Sequence, residues 1–271
     1  MPRSHDRSHD QARIRSRIKS LLVAAATVAT IAAAAACSDI NTDPHSVASI
    51  ALDTIPFPAV VANDTLRDSL GIARPLHATA YNPQGDPLTG VGITYLVADS
   101  GAKVDPATGI VVADTARATP VRIVAEAGGL QTMPDTIYVV PAPDSIVAVN
   151  PADTLAYSLS DSTVNVSKPL TVKVMHRNGI AAAAPVRAWL VSYSIVSPSD
   201  TLVAQLVGDN GRSARVDTTA ADGTAGLRVR IRPGRLSAAN DSVIVNAMVR
   251  ILGVPITGAP LRFVLQVKPG S

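Results

Sequence analysis

One cysteine, Cys37, occurs in 271 residues, so no disulfide can close within the chain. Any sandwich it forms must be held by its core alone, without the covalent staple common in small exported domains. Aromatic residues make up 3% of the chain, with a single Trp and two Phe. Exposed ring platforms of the kind that stack sugars are therefore hard to build, and packing falls to Val, Ile, Leu and Ala, which suits strands. Catalytic signatures are missing too: there is no G-x-S-x-G, H-E-x-x-H, C-x-x-C or P-loop. After Cys37 the histidines are His45, His77 and His176, each isolated in the sequence. Without a D-x-[DN]-x-[DN]-G loop, Asp99, Asp105, Asp209 and Asp222 are turn aspartates before they are calcium ligands. These absences argue against an enzyme, and no catalytic residue, cofactor or metal is expected.

The formal charge of +3 is misleading. Residues 1–36 carry six basic and two acidic side chains, a net +4, so the remainder stands at −1. A near-neutral body lacks the electrostatic footprint of a nucleic-acid binder, and no nucleic-acid partner is expected.

What the chain does have is concentrated first between Arg13 and Cys37. Arg13, Arg15, Arg17 and Lys19 precede an uncharged run of 16 residues, Leu21 to Ala36. A spanning helix usually needs roughly 20 residues, so this arrangement predicts a secretory signal peptide over 1–36 rather than a permanent span. Ala34-Ala35-Ala36-Cys37 resembles the lipobox of bacterial lipoproteins, although Ala34 stands where that family usually has Leu. The resemblance implies cleavage between Ala36 and Cys37, acylation of Cys37, and attachment to a membrane through lipid. The alternative is ordinary cleavage at the A-x-A of Ala34 to Ala36, which would leave a soluble protein with a free thiol. By the same analogy Ser38, which is not Asp, points to the outer membrane or cell surface. Residues 37–48 are expected to be the lipidated cysteine and a flexible polar tether.

From Ser49 onward, short alternating runs are broken by turn residues. Leu76, Ala78 and Ala80 alternate with His77, Thr79 and Tyr81; Val91, Ile93 and Tyr95 share a face of the next run. Asp105-Pro106 and Gly109 mark a turn, and Gly128-Gly129 ends Val121 to Ala127. Pro56 and Pro58 precede Ala59 to Ala62 as at the start of an edge strand. A proline-rich junction, Pro141 to Ile146, follows. Beyond it, Leu170, Val172 and Val174 are predicted to face inward, with a turn over His176 to Gly179 and a helix fragment or loop over Ala181 to Pro185. Val186 to Ser197 forms a long run carrying Trp189 as a core anchor. Gly208 to Gly211 signals a hairpin between Leu202 to Val207 and Ser213 to Asp217. Leu227, Val229 and Ile231 alternate with Arg228, Arg230 and Arg232, a strand with one buried and one wet face. The arginine stripe is a candidate face for anionic ligands, set against a plain solvated strand face.

The resulting expectation is all-β: two tandem immunoglobulin-like β-sandwiches, over 49–141 and 142–271, after the signal peptide and tether. The first resembles the bacterial immunoglobulin-like group 2 domain. Asn82-Pro83-Gln84-Gly85, Pro87 to Tyr95, Val104-Asp105, Thr108 to Val111 and Val121 to Gly129 carry the likeness, with Tyr95 where the family usually has Trp. In the second, Asp222, Gly223 and Ala225 resemble a segment of group 1 intimin- and invasin-type domains. These are structural positions, so the resemblance implies fold and a surface location. The expected function is that of a non-enzymatic cell-envelope lipoprotein acting in adhesion, protein interaction or structural spacing, with an unidentified protein partner. The rival expectation is a soluble periplasmic or secreted protein binding a glycan or a metal.

Overall fold

A computed structural model of the chain describes residues 43–150, 152–161, 165–177, 182–236 and 241–269. Among them there is no α-helix; one short 3₁₀ turn covers Pro233–Arg235. The predicted signal peptide, Ala36 and Cys37 lie outside the described residues.

Nine strands lie before Pro141: β1 (Ser49–Leu52), β2 (Ala59–Val61), β3 (Ala78–Tyr81), β4 (Thr94–Val97), β5 (Ala102–Val104), β6 (Val111–Ala113), β7 (Val121–Ala127), β8 (Leu130–Gln131) and β9 (Asp135–Val140). The main sheet runs β2-β9-β7-β4, with β8 added to β7. The ladders β1–β3 and β5–β6 bring Ala78, Ala102, Val111 and Ala113 into one core with Val121, Ile123 and Ile137 of that sheet. β2 is the edge strand that Pro56 and Pro58 announce, and it pairs parallel with β9. The period-2 faces are as the pattern requires: Leu76, Ala78 and Ala80 are buried, and Tyr95 points inward between exposed Thr94 and Leu96.

Twelve strands follow: β10 (Ser145–Ala148), β11 (Ala152–Tyr157), β12 (Leu170–His176), β13 (Ala184–Pro185), β14 (Leu190–Ser197), β15 (Ala204–Val207), β16 (Val216–Thr218), β17 (Thr224–Ile231), β18 (Ser242–Met248), β19 (Arg250–Ile251), β20 (Val254–Pro255) and β21 (Leu261–Pro269). One sheet runs β10-β12-β17-β15 and the other β11-β21-β18-β14-β16; β19 and β20 form a separate hairpin. As in the first sandwich, an early strand, β11, lies parallel to the last, β21. Leu170, Val172 and Val174 are buried against Tyr193, Val243 and Phe263 of one continuous core. The two sheets are pinned by Tyr193, whose hydroxyl lies 3.0 Å from the Ala225 carbonyl and 3.2 Å from that of Leu170 on the opposite sheet. Burial pushes this phenol far above its ordinary pKa. The chain is thus an all-β pair of sandwiches, and among the described residues no strand ladder joins the segment before Pro141 to the one after Pro143.

Two turns depend on glycine. Gly109 (φ +72°) closes the β5–β6 hairpin, where the Asp105 carboxylate accepts the amides of Ala107 and Thr108; a Cβ there would sit 2.8 Å from the Leu76 carbonyl oxygen. Gly223 (φ +80°) follows Asp222, which caps Thr224, and its Cβ would sit 2.7 Å from the Val174 carbonyl oxygen.

Several expectations change. Ala184 and Pro185 form neither helix nor loop but a two-residue strand on β12, opposite His176 and Met175. His176 accordingly ends β12 rather than opening a turn; Asn178 and Gly179 lie outside the described residues. The run carrying Trp189 does not begin as strand at Val186. Ala188 takes φ +54°, and β14 starts two residues later. The turn at Gly208 to Gly211 does form, with Gly208 N–H donating to the Arg212 carbonyl, but its arms share only the bridge Val207–Ser213. β15 then pairs with β17 and β16 with β14, on opposite sheets. Each arm finds a longer partner than the other arm could offer.

Of the tether, residues 43–48 are held against the first sandwich. Asp43 caps the turn at His45 and Ser46, the Asn82 amide donates to the Pro44 carbonyl, and Ala48 N–H donates to the Tyr81 carbonyl.

Candidate functional site

Phe57 sits just before β2 and Trp189 just before β14. Their ring centroids are 4.9 Å apart with planes inclined at 60°, an edge-to-face contact between the sandwiches. Trp189 is fixed there by its surroundings. Its backbone N–H donates to the buried Thr219 hydroxyl at 2.8 Å, and its indole N–H donates to the Arg250 carbonyl at 3.2 Å. Thr219 in turn donates to the Val186 carbonyl. Trp189 is only 6% exposed and belongs to the buried core, as expected of a core anchor, and it also reaches Phe57 across the junction.

Two further contacts close this seam. The Arg187 guanidinium lies 4.5 Å from the centre of the Tyr138 ring and also donates to the Ala118 carbonyl. On the other side, the Leu70–Gly71 backbone meets the Leu252–Gly253 tip of the β19–β20 hairpin. A Cβ on Gly71 would come within 2.4 Å of the Leu252 carbonyl carbon, and one on Gly253 within 2.8 Å of the Leu70 carbonyl oxygen. Between these contacts remains a cavity of about 30 Å³ lined by Phe57, Val60, Trp189 and Ile251. That is room for about one or two waters and no organic ligand. Phe57, Tyr138, Arg187, Gly71 and Gly253 carry no sequence signal for this role, because they converge only across the junction.

Of the arginine stripe, Arg228 and Arg230 lie on the outer face of β17, with Leu227, Val229 and Ile231 buried beneath, and Arg232 follows just beyond the strand's end. Its members differ. Arg228 lies 3.5 Å from the Asp209 carboxylate, and Arg230 donates one N–H to the Gly211 carbonyl at 3.2 Å. Both lean on the Gly208 to Gly211 turn. Arg232 has no ion pair among the described residues. Arg230, Arg232 and Arg235 line a shallow cleft of about 660 Å³.

The remaining titratable side chains are spent on structure. Arg122 holds the Asp99 carboxyl down to about 2, donating to it from Nε and Nη2 at 3.0 Å. Arg67 and Arg74 likewise depress Asp64 and Asp68. His77 pairs with Asp53 at 2.7 Å in the open, and His176 Nδ1 lies 2.6 Å from the Ala142 carbonyl and 3.9 Å from Asp144. Ser145 donates its hydroxyl to Asp144 at 2.7 Å and not to His176. Among the described residues no three His, Cys, Asp or Glu side chains come together as a metal site.

No family model matches the chain, and no curated protein matches it. Solved structures similar to it include the Yersinia pseudotuberculosis adhesin InvE (15% identity, 81% of this chain and 58% of that one, TM-score 0.33). The S-layer protein rSbsC(31-844) shows 14% identity over 83% of this chain and 28% of its own (TM-score 0.30). Invasin, a bacterial integrin-binding protein, shows 14% identity over 82% and 39% (TM-score 0.29). The chain spans less than two thirds of the length of each of these three. At such scores the sandwich architecture is read from strand pairing and burial alone.

Proposed function

We propose that the chain is a non-enzymatic cell-envelope lipoprotein. It is held to the outer membrane or cell surface by lipid on Cys37, and its two immunoglobulin-like sandwiches work as a stiff pair in adhesion, protein interaction or spacing. The observation that carries this reading is the seam. A spacer must hold its far end at a defined distance, and freely jointed domains cannot. The Phe57–Trp189 contact, the Arg187–Tyr138 stack and the backbone contact at Gly71 and Gly253 tie the two sandwiches at three points. The start of the first sandwich adds to this. With residues 43–48 bound to it, only residues 38–42 separate Cys37 from the folded body, a covalent reach of at most roughly 20–22 Å from Cys37 to Asp43. A stiff pair tied so closely to the membrane would present its distal loops outward to a protein partner.

The test is a distance distribution between spin labels at Lys103→Cys and Arg262→Cys, in a Cys37→Ala background, by pulsed electron resonance. A single narrow distribution is expected, broadening when Phe57→Ala is added. A broad distribution without that substitution would sink the stiff-spacer reading.

A further inference from the structure

We propose that the cleft formed by Arg230, Arg232 and Arg235 binds an anionic glycan, a chain bearing carboxylate or sulfate groups. The proposal stands apart from the spacer reading, which rests on the seam and on Cys37.

The backbone around the cleft is tied down. Arg232 N–H donates to the Val203 carbonyl, Ile231 N–H to the Asn165 carbonyl, and the 3₁₀ turn Pro233–Arg235 closes with Arg235 N–H on the Arg232 carbonyl. That turn brings Arg235 back to line the same cleft as the two strand arginines. The side chains remain available. Arg230 gives one N–H to Gly211, and Arg232 and Arg235 make no hydrogen bond or ion pair among the described residues. Among the described residues no acidic side chain lines the cleft. The cleft therefore offers three guanidinium groups to an incoming anion. Arg228 is excluded from the site because Asp209 already neutralises it.

Guanidinium forks donate two parallel hydrogen bonds to an oxyanion that carries two oxygens at matching spacing, as carboxylate and sulfate do. Arg230 near the end of β17 and Arg232, in extended backbone just beyond it, stand two residues apart, about 6.7 Å along the chain, so a ligand with regularly repeated charges can engage both. The cleft's 660 Å³ lies within the range of ordinary ligand sites. Other anionic partners fit less well. β17 is paired along both edges, with β12 and then β15, and Arg230 is bridged to Val166, so no open ladder remains for an acidic peptide to extend. The net −1 on residues 37–271 supplies no field to hold nucleic acid. The buried Asn165 at the cleft's edge is occupied on both amide atoms by the Ser158 backbone, so recognition falls to the arginines.

Titration calorimetry on the full chain, with heparin and oligogalacturonate as probes and neutral dextran as control, tests this. Saturable binding to both charged glycans and none to dextran is expected. Arg232→Ala/Arg235→Ala should weaken it by at least about tenfold, the loss of one or two charged hydrogen bonds. Arg228→Ala/Arg262→Ala, which removes the same net charge, should stay within about twofold. All four arginines are exposed or half-exposed, so both variants fold. Equal loss in the two variants would reduce the effect to general charge and overturn the site. Tighter binding to polyglutamate or to phosphatidylglycerol vesicles than to either glycan would overturn the ligand class.

Discussion

Trp189 and Phe57 approach from opposite sides of the Pro141–Pro143 junction and meet edge to face, 4.9 Å between ring centres. The single tryptophan of the chain thus serves both the buried core and the joint between the two sandwiches. Trp189→Ala should remove about 3–5 kcal/mol from the second sandwich, because a nearly buried indole leaves a cavity. Phe57→Ala should instead leave that sandwich intact and uncouple the pair. Calorimetry would then show two separable transitions where the parent shows one. A single transition in Phe57→Ala would mean that the ring contact does not couple the modules.

The glycines at the seam offer a finer test. Gly71→Ala places a methyl at φ +82° and within 2.4 Å of the Leu252 backbone, which cannot retreat without moving the hairpin. Gly85→Ala has a similar φ of +87° but open space around it. Gly85→Ala should cost only the left-handed strain, about 1–2 kcal/mol, whereas Gly71→Ala should also broaden the intermodule distance distribution. Equal broadening in both would dissociate the glycine contact from stiffness.

Tyr193→Phe removes the one hydroxyl that reaches the carbonyls of both Leu170 and Ala225 across the core. The cost expected is about 1–3 kcal/mol, the penalty for a buried polar group losing its partner. Urea unfolding should show a lower midpoint at unchanged slope. No change in midpoint would show that water or a backbone shift replaces the hydroxyl.

Acid sensitivity should begin low. Asp99 titrates near 2 in the folded chain against 3.8 ordinarily, so its pairing with Arg122 contributes fully above about pH 4 and fades as pH falls through 2. The stability difference between the parent and Asp99→Asn should therefore be constant from pH 7 to about 4 and shrink below that. A difference that grew on acidification would reverse the sign of this linkage.

Anchoring is tested at Cys37. The N-terminal peptide from a lipoprotein-competent bacterium should carry a diacylglyceryl-type mass on Cys37, and Cys37→Ala should move the protein from the membrane to the soluble fraction. An unmodified thiol would transfer the lead to the soluble, ligand-binding reading.

The strand faces were legible from residue order alone. Leu76, Ala78 and Ala80, then Leu170, Val172 and Val174, then Leu227, Val229 and Ile231 are buried as their alternation requires, because side chains on a strand have period two whatever the strand pairs with. The turns at Gly109 and Gly223 were legible for a similarly local reason, since the Asp caps and the left-handed glycine lie within four residues of each other. Partner choice was not local. The Gly208 to Gly211 signal is a sound turn, yet β15 and β16 separate to different sheets, where they pair with β17 and β14. The seam was equally hidden. Phe57 and Trp189 stand 132 positions apart in the chain, and only the packing of two finished sandwiches sets one ring against the other. Residue order determined which side of each strand is buried; tertiary structure decided which strands are neighbours and which arginines are left unpaired, because those depend on what arrives from far along the chain.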